Sequence, residues 1–241
     1  MVTSQKRSEK TLNGHLQYWM PDPLAERHYN VSPYAYCLNN PMIYIDPFGL
    51  DTVYVFDSST TVPINNGTEA QTYTATIIVE QNGVISDSYQ GSSFPNSSTR
   101  HRTVAEGEHA YNNQYGHGGG SRQGLNLVDE NGNRKTPATT GDPPMTEINV
   151  HPGQPESANG THNRGYGGCI TVSPNDADAF MGHFDWSGTY RGYTGNTGTS
   201  TGVVILLRGD NATGLKNMVE NRRDWQRNPL TPMRPLPARL R

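Results

Sequence analysis

Hydrophobic positions in this chain recur with the period of strands far more often than with that of helices. Asp51-Thr-Val-Tyr-Val-Phe56 alternates apolar and polar positions, and Gln71 to Glu80 does so over a longer run. Gln81-Asn82-Gly83 then supplies a hairpin turn into Val84–Ser88. A Ser-rich loop is expected over 89–103 and a turn and strand over Val104–Tyr111. Further strands are expected over Leu125–Val128 and Thr146–Val150. The short apolar run Cys169–Val172 precedes Ser173-Pro174-Asn-Asp176, a capping sequence for a helix running to about Phe184. Gly202–Arg208 reads as a buried strand and Thr213 to about Gln226 as a second helix. The pattern predicts a mainly β domain with two helices.

Ahead of residue 51 the pattern changes. Met1 to about Gly14 shows no structure-forming period. Residues 18–50 alternate aromatic residues with Pro and Asn-Pro turn signals, which suits short strands closing a β-shell. Without the rest of such a shell, residues 1–50 are expected to be partly disordered or draped on the domain that follows. The chain therefore divides into 1–50 and 51–241.

Only 32% of the 241 residues are hydrophobic and 26 are glycine, a balance that favours short strands and long loops. Beyond residue 50, 15 Lys and Arg stand against 18 Asp and Glu, a net of −3. A protein that approaches a polyanion usually displays a basic face, so no nucleic acid partner is expected. The one basic cluster, Arg222, Arg223, Arg227, Arg234, Arg239 and Arg241, reads as a solvated helix end and Pro-rich tail. No run approaches the roughly 18 apolar residues of a membrane span, and no charged-then-apolar leader opens the chain. No membrane contact is expected, and delivery is expected from machinery attached upstream. The two cysteines, Cys37 and Cys169, belong to different parts, so no disulfide framework is expected.

Candidate chemistry concentrates around Cys169, in Arg164-Gly-Tyr166-Gly167-Gly168-Cys169-Ile170-Thr171-Val172. His151 precedes it by 18 residues, at the end of the extended segment Glu147–Val150 and before Pro152-Gly153. A thiol attacks as thiolate and needs a neighbour that lowers its pKa or takes its proton, commonly an imidazole. Gly167 and Gly168 let the backbone turn tightly and bring amide N–H groups toward a reacting carbonyl. His162 in Gly160-Thr161-His162-Asn163 is more simply an exposed loop histidine than a second polar group of the site. His117, in Gly116-His117-Gly-Gly-Gly120, is more simply part of a flexible glycine loop. One Cys with scattered His residues offers no set of metal ligands, so neither metal nor cofactor is expected. Thr161-His162-Asn163-Arg164 lacks the partner His and acidic residues of a nuclease motif.

The order His, then Gly-Cys-apolar, resembles the L,D-transpeptidase catalytic domain over about residues 100–208, most closely over 147–180. The resemblance implies a β-sandwich-like fold in which a helix flanks the catalytic strand. It makes His151 the general base, Cys169 the nucleophile, Gly168 the signature glycine and Ile170 the apolar residue after the Cys. Tyr166 stands where the family has Ser or Thr, Gly167 replaces the signature's second His, and Thr171 replaces a common Arg. Those departures are similar to those of divergent transpeptidase-like toxins. Tyr166 then packs on the substrate or oxyanion side or simply shields the thiolate, with Gly167, Gly168 and His162 as further candidates for substrate or oxyanion contacts.

Residues 18–50 resemble the end of an RHS-repeat core, the shell-forming part of polymorphic toxins. The match is carried by Asp22-Pro23, Pro33-Tyr34-Ala35-Tyr36, Asn39-Asn40-Pro41 and Asp46-Pro47-Phe48-Gly49-Leu50. In that family the segment marks where an unrelated toxin begins, and some members cut themselves after the final Leu using aspartates. That implies self-cleavage after Leu50 with Asp22 and Asp46, although Leu24-Ala25 departs from the pattern.

Together the resemblances imply an antibacterial effector delivered to the periplasm of a target bacterium. Its partners would be peptidoglycan stem peptides, a cognate immunity protein, and the RHS shell with its secretion machinery. Cys169 would attack an L,D-amide carbonyl with His151 as base, and water or an amine would release the thioester. The orienting partner of the other imidazole nitrogen is not identifiable from sequence; a backbone carbonyl would serve. Two other readings stay open: a Cys–His amidase or protease on another substrate, and a non-catalytic docking domain with Cys169 in its core.

Overall fold

A computed structural model describes residues 9–12, 15–18, 51–65, 68–69, 72–138, 143–153, 168–188, 195–196 and 200–228. The chain divides into two compact units, Met1–Phe48 and Gly49–Arg241. In the first, Glu9–Leu12 pairs antiparallel with His15–Tyr18. The absence of a hydrophobic period before Gly14 did not anticipate this hairpin, because backbone pairing needs no apolar alternation.

In the second unit eight strands close into a barrel. They are β1 Asp51–Asp57, β2 Ala75–Gln81, β3 Val84–Ser92, β4 Gly107–Asn112, β5 Leu125–Val128, β6 Asn149–Pro152, β7 Ile170–Val172 and β8 Thr201–Arg208. Their order around the barrel is β6-β7-β3-β2-β1-β8-β4-β5, and β5 closes onto β6 through Asn126↔Asn149 and Leu125↔Val150. β6–β7 and β1–β8 are parallel; the other neighbours are antiparallel. Two helices, α1 Ala177–Met181 and α2 Asp210–Arg227, complete the described elements beyond short two-stranded ribbons. The domain is mainly β with two helices, as the pattern predicts. The sheet is a closed barrel where the resemblance implies a sandwich.

Alternation decides which side chains fill the barrel. Val53 and Val55 of β1, Ile77 and Val79 of β2, Leu125 and Leu127 of β5, and Val204 and Leu206 of β8 join one core cluster. Tyr54, Phe56 and Ile78 point the other way, into a second cluster with Ala212 and Val219 of α2. The helix is thus held by an apolar face, with Asp210 in its first turn and Arg227 in its last, matching its dipole. Arg222 reaches Glu80 at 2.6 Å and Arg227 reaches Asp87 at 2.9 Å, which accounts for two members of the basic cluster.

Several boundaries depart from the sequence reading, among them the starts of β2 at Ala75 and of α2 at Asp210. β3 runs to Ser92 instead of stopping at Ser88, because Gly91 and Gln90 pair with Ala75 and Thr76 and Ser92 pairs with Thr171. The α1 helix ends at Met181, where Gly182, a poor helix former, takes over; Phe184 still packs edge-on against Tyr111 and Phe180. The strand expected over 146–150 splits into Met145–Thr146 and β6, because Glu147 takes a positive φ of 61° between them. Asn82 and Gly83 both have positive φ (50° and 75°), the turn the Asn-Gly pair demands.

Candidate active site

Strand alternation builds a polar surface on the outside of β5–β6. Leu125, Leu127 and Val150 enter the barrel, so Asn126, Asn149 and His151 share the opposite face. That face is not left to solvent: Asn126, Asn149 and His151 are all buried. Its cover includes the β4–β5 connection, where His117 and Arg122 exchange backbone hydrogen bonds of 2.9 and 3.1 Å around Gly118-Gly119-Gly120-Ser121. The three glycines take positive φ, which lets so short a reversal close. His117 is thereby laid flat on His151, with ring centroids 3.8 Å apart and planes inclined by 9°.

Parallel pairing of β6 with β7 brings Cys169, just ahead of β7, to the same place. One donor atom each from His117, His151 and Cys169 lie within 4.8 Å of one another. His151 Nδ1 lies 2.7 Å from the Pro152 carbonyl oxygen, which only accepts, so Nδ1 carries the proton. Nε2 is left with a lone pair, buried and without a hydrogen-bond partner among the described residues. The orienting group that no side chain supplied is this backbone carbonyl.

A chain of amides fixes the second imidazole. The Tyr115 N–H donates to Asn126 Oδ1 at 2.9 Å, so Asn126 Nδ2 is the end that donates to the Gly116 carbonyl (2.7 Å) and to Asn149 Oδ1. Asn149 Nδ2 then donates to the Glu147 carbonyl at 2.8 Å and meets His117 Nδ1 at 3.3 Å. His117 Nδ1 must therefore be the acceptor, and the neutral ring carries its proton on Nε2. The stacked imidazoles hold opposite tautomers.

Electrostatics keep the cluster uncharged at rest. Burial, and then the neighbouring His117, push His151 down to about 3, against a smaller upward pull from the Pro152 carbonyl. Burial also lowers His117, with Arg122 and Arg134 adding to it. Burial pushes the Cys169 thiol up, while hydrogen bonds from the Asn149 backbone and side chain, and the charge of Arg134, pull it back. A preformed thiolate–imidazolium pair is thus disfavoured. The arrangement places a thiol close to a neutral imidazole whose Nε2 has no hydrogen-bond partner among the described residues.

Gly168 completes the approach to Cys169. Its φ is +92°, and a Cβ there would lie 2.3 Å from the Arg102 carbonyl oxygen and 2.4 Å from Met145 Cε. Only glycine fits.

Of the residues singled out from sequence, His151, Cys169 and Gly168 come together. Gly167, Tyr166, His162, Asp22, Asp46 and Leu50 lie outside the described residues. Two expectations are corrected. His117, read as part of a flexible glycine loop, is instead packed on His151, because the glycines shape a tight hairpin that folds over the polar face. Scattered histidines were expected to give no ligand set, yet the same folding gathers two imidazoles and a thiol. Asn126 and Asn149 were missed altogether; their signal was polar residues alternating with Leu125, Leu127 and Val150. Comparison with family models, with curated proteins and with solved structures gives no match.

Proposed function

We propose that residues 51–241 form a cysteine acyl-transfer domain of the L,D-transpeptidase kind, acting on peptidoglycan stem peptides as the toxic part of an RHS-type effector. The observation that supports the reading is the buried, unpartnered Nε2 of His151, its Nδ1 held by the Pro152 carbonyl, in a cluster where one donor atom of His151 and Cys169 Sγ lie within 4.8 Å. Because both groups are neutral at rest, proton transfer accompanies attack. Nε2 takes the thiol proton as sulfur bonds to the amide carbonyl carbon, and backbone N–H groups near Gly168 and Cys169 receive the oxyanion. Collapse breaks the C–N bond, and the imidazolium returns its proton to the leaving D-amino acid nitrogen. Water then hydrolyses the thioester, or an amine takes the acyl group. No cofactor enters these steps.

Purified tetrapeptide muropeptides incubated with the protein should release terminal D-alanine, or exchange it when another D-amino acid is supplied. Cys169→Ala should abolish both. Toxicity should require export to the periplasm. A second reading rests on the burial of Cys169, 4% exposed and part of the barrel core cluster. It makes the chain a docking domain with an inert thiol, and it predicts unchanged muropeptides and no alkylation of the folded protein. Cleavage of a different amide or ester, lost in Cys169→Ala, would keep the nucleophile and discard the cell-wall substrate.

A further inference from the structure

We infer that His117, His151 and Cys169 form a binding site for a thiophilic divalent cation, Zn²⁺ in the first instance, and that the ion holds the enzyme latent. The donor set supports this independently of the acyl-transfer reading; only the latency rests on it. Two imidazole nitrogens and a thiolate with a fourth position open are a set that zinc takes in tetrahedral sites. His151 Nε2, buried and without a hydrogen-bond partner among the described residues, presents a lone pair to the cluster. The tautomer of His117 puts its second lone pair on Nδ1, which accepts from Asn149 at 3.3 Å, so the ion must displace that hydrogen bond. Cys169 Sγ is the third donor, and one donor atom from each of the three residues lies within 4.8 Å of the others.

Tetrahedral zinc, with bonds of about 2.0–2.3 Å, needs donor–donor edges of roughly 3.3–3.6 Å. The cluster must therefore contract by about an ångström on binding. One ring must also tilt, since rings inclined by only 9° direct their lone pairs side by side. His151 is fixed by its strand and by Pro152. His117, at the base of the Gly118–Gly120 turn and off the barrel strands, is the ring that would shift, giving up its 3.3 Å contact with Asn149. Binding exchanges the thiol proton for the ion, so one proton leaves to solvent per ion bound. The sulfur, committed to the metal, no longer attacks.

Cobalt(II) added to the reduced, chelator-treated full chain should bind one to one. It should give a sulfur-to-cobalt charge-transfer band with tetrahedral d–d intensity, and Zn²⁺ should erase both. Zn²⁺ should also stop alkylation of Cys169 until a chelator is added. Cys169→Ser should lack the charge-transfer band. His117→Ala, and His117→Phe, which keeps a stacked ring, should weaken cobalt by more than the roughly 10- to 100-fold that loss of an outer partner costs a metal site. No charge-transfer band in the wild type, a band that survives Cys169→Ser, or unchanged affinity in His117→Phe overturns the inference. A chelated protein that is inactive on muropeptides but gives the band defeats the enzyme reading and leaves the metal site. An active chelated protein without the band does the reverse.

Discussion

The imidazole of His117 lies against that of His151 at 3.8 Å with nearly parallel planes, and the two rings carry their protons on different nitrogens. Two imidazoles in van der Waals contact, His151 buried and His117 half-buried, cannot both ionise without strong repulsion. The stack therefore helps to keep a free base beside Cys169.

This neutrality has a measurable sign. His151 in the folded protein titrates near 3 instead of 6.5, so the unfolded chain binds its proton first. Its contribution to stability is complete above 6.5 and is lost as the pH falls from there toward 3, amounting to about 5 kcal/mol at most. His117, His109 and His183 are lowered as well and act in the same direction. Urea midpoints should fall steadily below neutrality, and His151→Gln should flatten that slope. Nitrogen NMR should show His151 as the neutral Nδ1–H tautomer down to about pH 4. A His151 titration near its ordinary value would refute the neutral-pair mechanism.

Asn149 makes a different demand. Its backbone and side chain both pull the Cys169 thiol pKa down, the Nδ2 protons being shared with the Glu147 carbonyl and with His117 Nδ1. A hydrogen bond to a charged group contributes about 1.5–3 kcal/mol, so Asn149→Ala should lower the thiolate population roughly 10- to 100-fold at a given pH. Iodoacetamide rates measured against pH should show the thiol titrating higher than in the wild type, with far-UV circular dichroism unchanged. An unaltered profile would mean that Asn149 only fills space.

Much of the barrel was legible because strand alternation is a local property: Val53, Val55, Ile77 and Val79 announce their inward face without reference to any partner. The Asn82-Gly83 turn and α2 are local in the same sense. Convergence of His151 with Cys169 was legible only through a resemblance, since it depends on β6 and β7 being neighbours. His117 was illegible. Its place is set by a hairpin folding onto a surface 34 residues further along the chain, and a glycine-rich run reads the same whether packed or mobile. Closure of β5 onto β6 rests on a two-residue register that no composition encodes.

Gly168 and Gly124 separate fold from site. In Gly168→Ala the positive φ costs about 1–2 kcal/mol, and contacts at 2.3 and 2.4 Å with Arg102 O and Met145 Cε force further movement. Thermal unfolding should show a loss of about 3 kcal/mol. At Gly124 a Cβ would lie 2.8 Å from the Cβ of His117. Gly124→Ala should therefore displace the upper ring of the stack, altering the His151 titration more than the stability. Equal effects of the two substitutions on stability, with the titration unmoved, would contradict the packing described.

Asp57 and Arg208 form the test of what holds the barrel itself. Asp57 is fully buried and accepts hydrogen bonds from the Ser59 N–H, Thr74 Oγ1, and the Ser93 N–H and Oγ. Arg208, the register partner of Asp57 on β8, is also buried. Its guanidinium donates to Ser93 Oγ and O and lies 4.9 Å from the centre of the Phe94 ring, and its backbone N–H donates to Glu106. Burial lowers the Arg208 pKa, while Asp57 and then Glu106 oppose it. The two charges meet through Ser93 and Glu106 also acts on Arg208, so removing either leaves the other buried and less compensated, at a cost of up to about 3–5 kcal/mol. Asp57→Ala and Arg208→Met should each fall in that range by urea unfolding. The double variant should lose clearly less than the sum, because neither charge is then left alone. Strict additivity would show that Ser93 and Phe94 hold Arg208 without the carboxylate, and that the pair is not what joins β1 to β8 at this end.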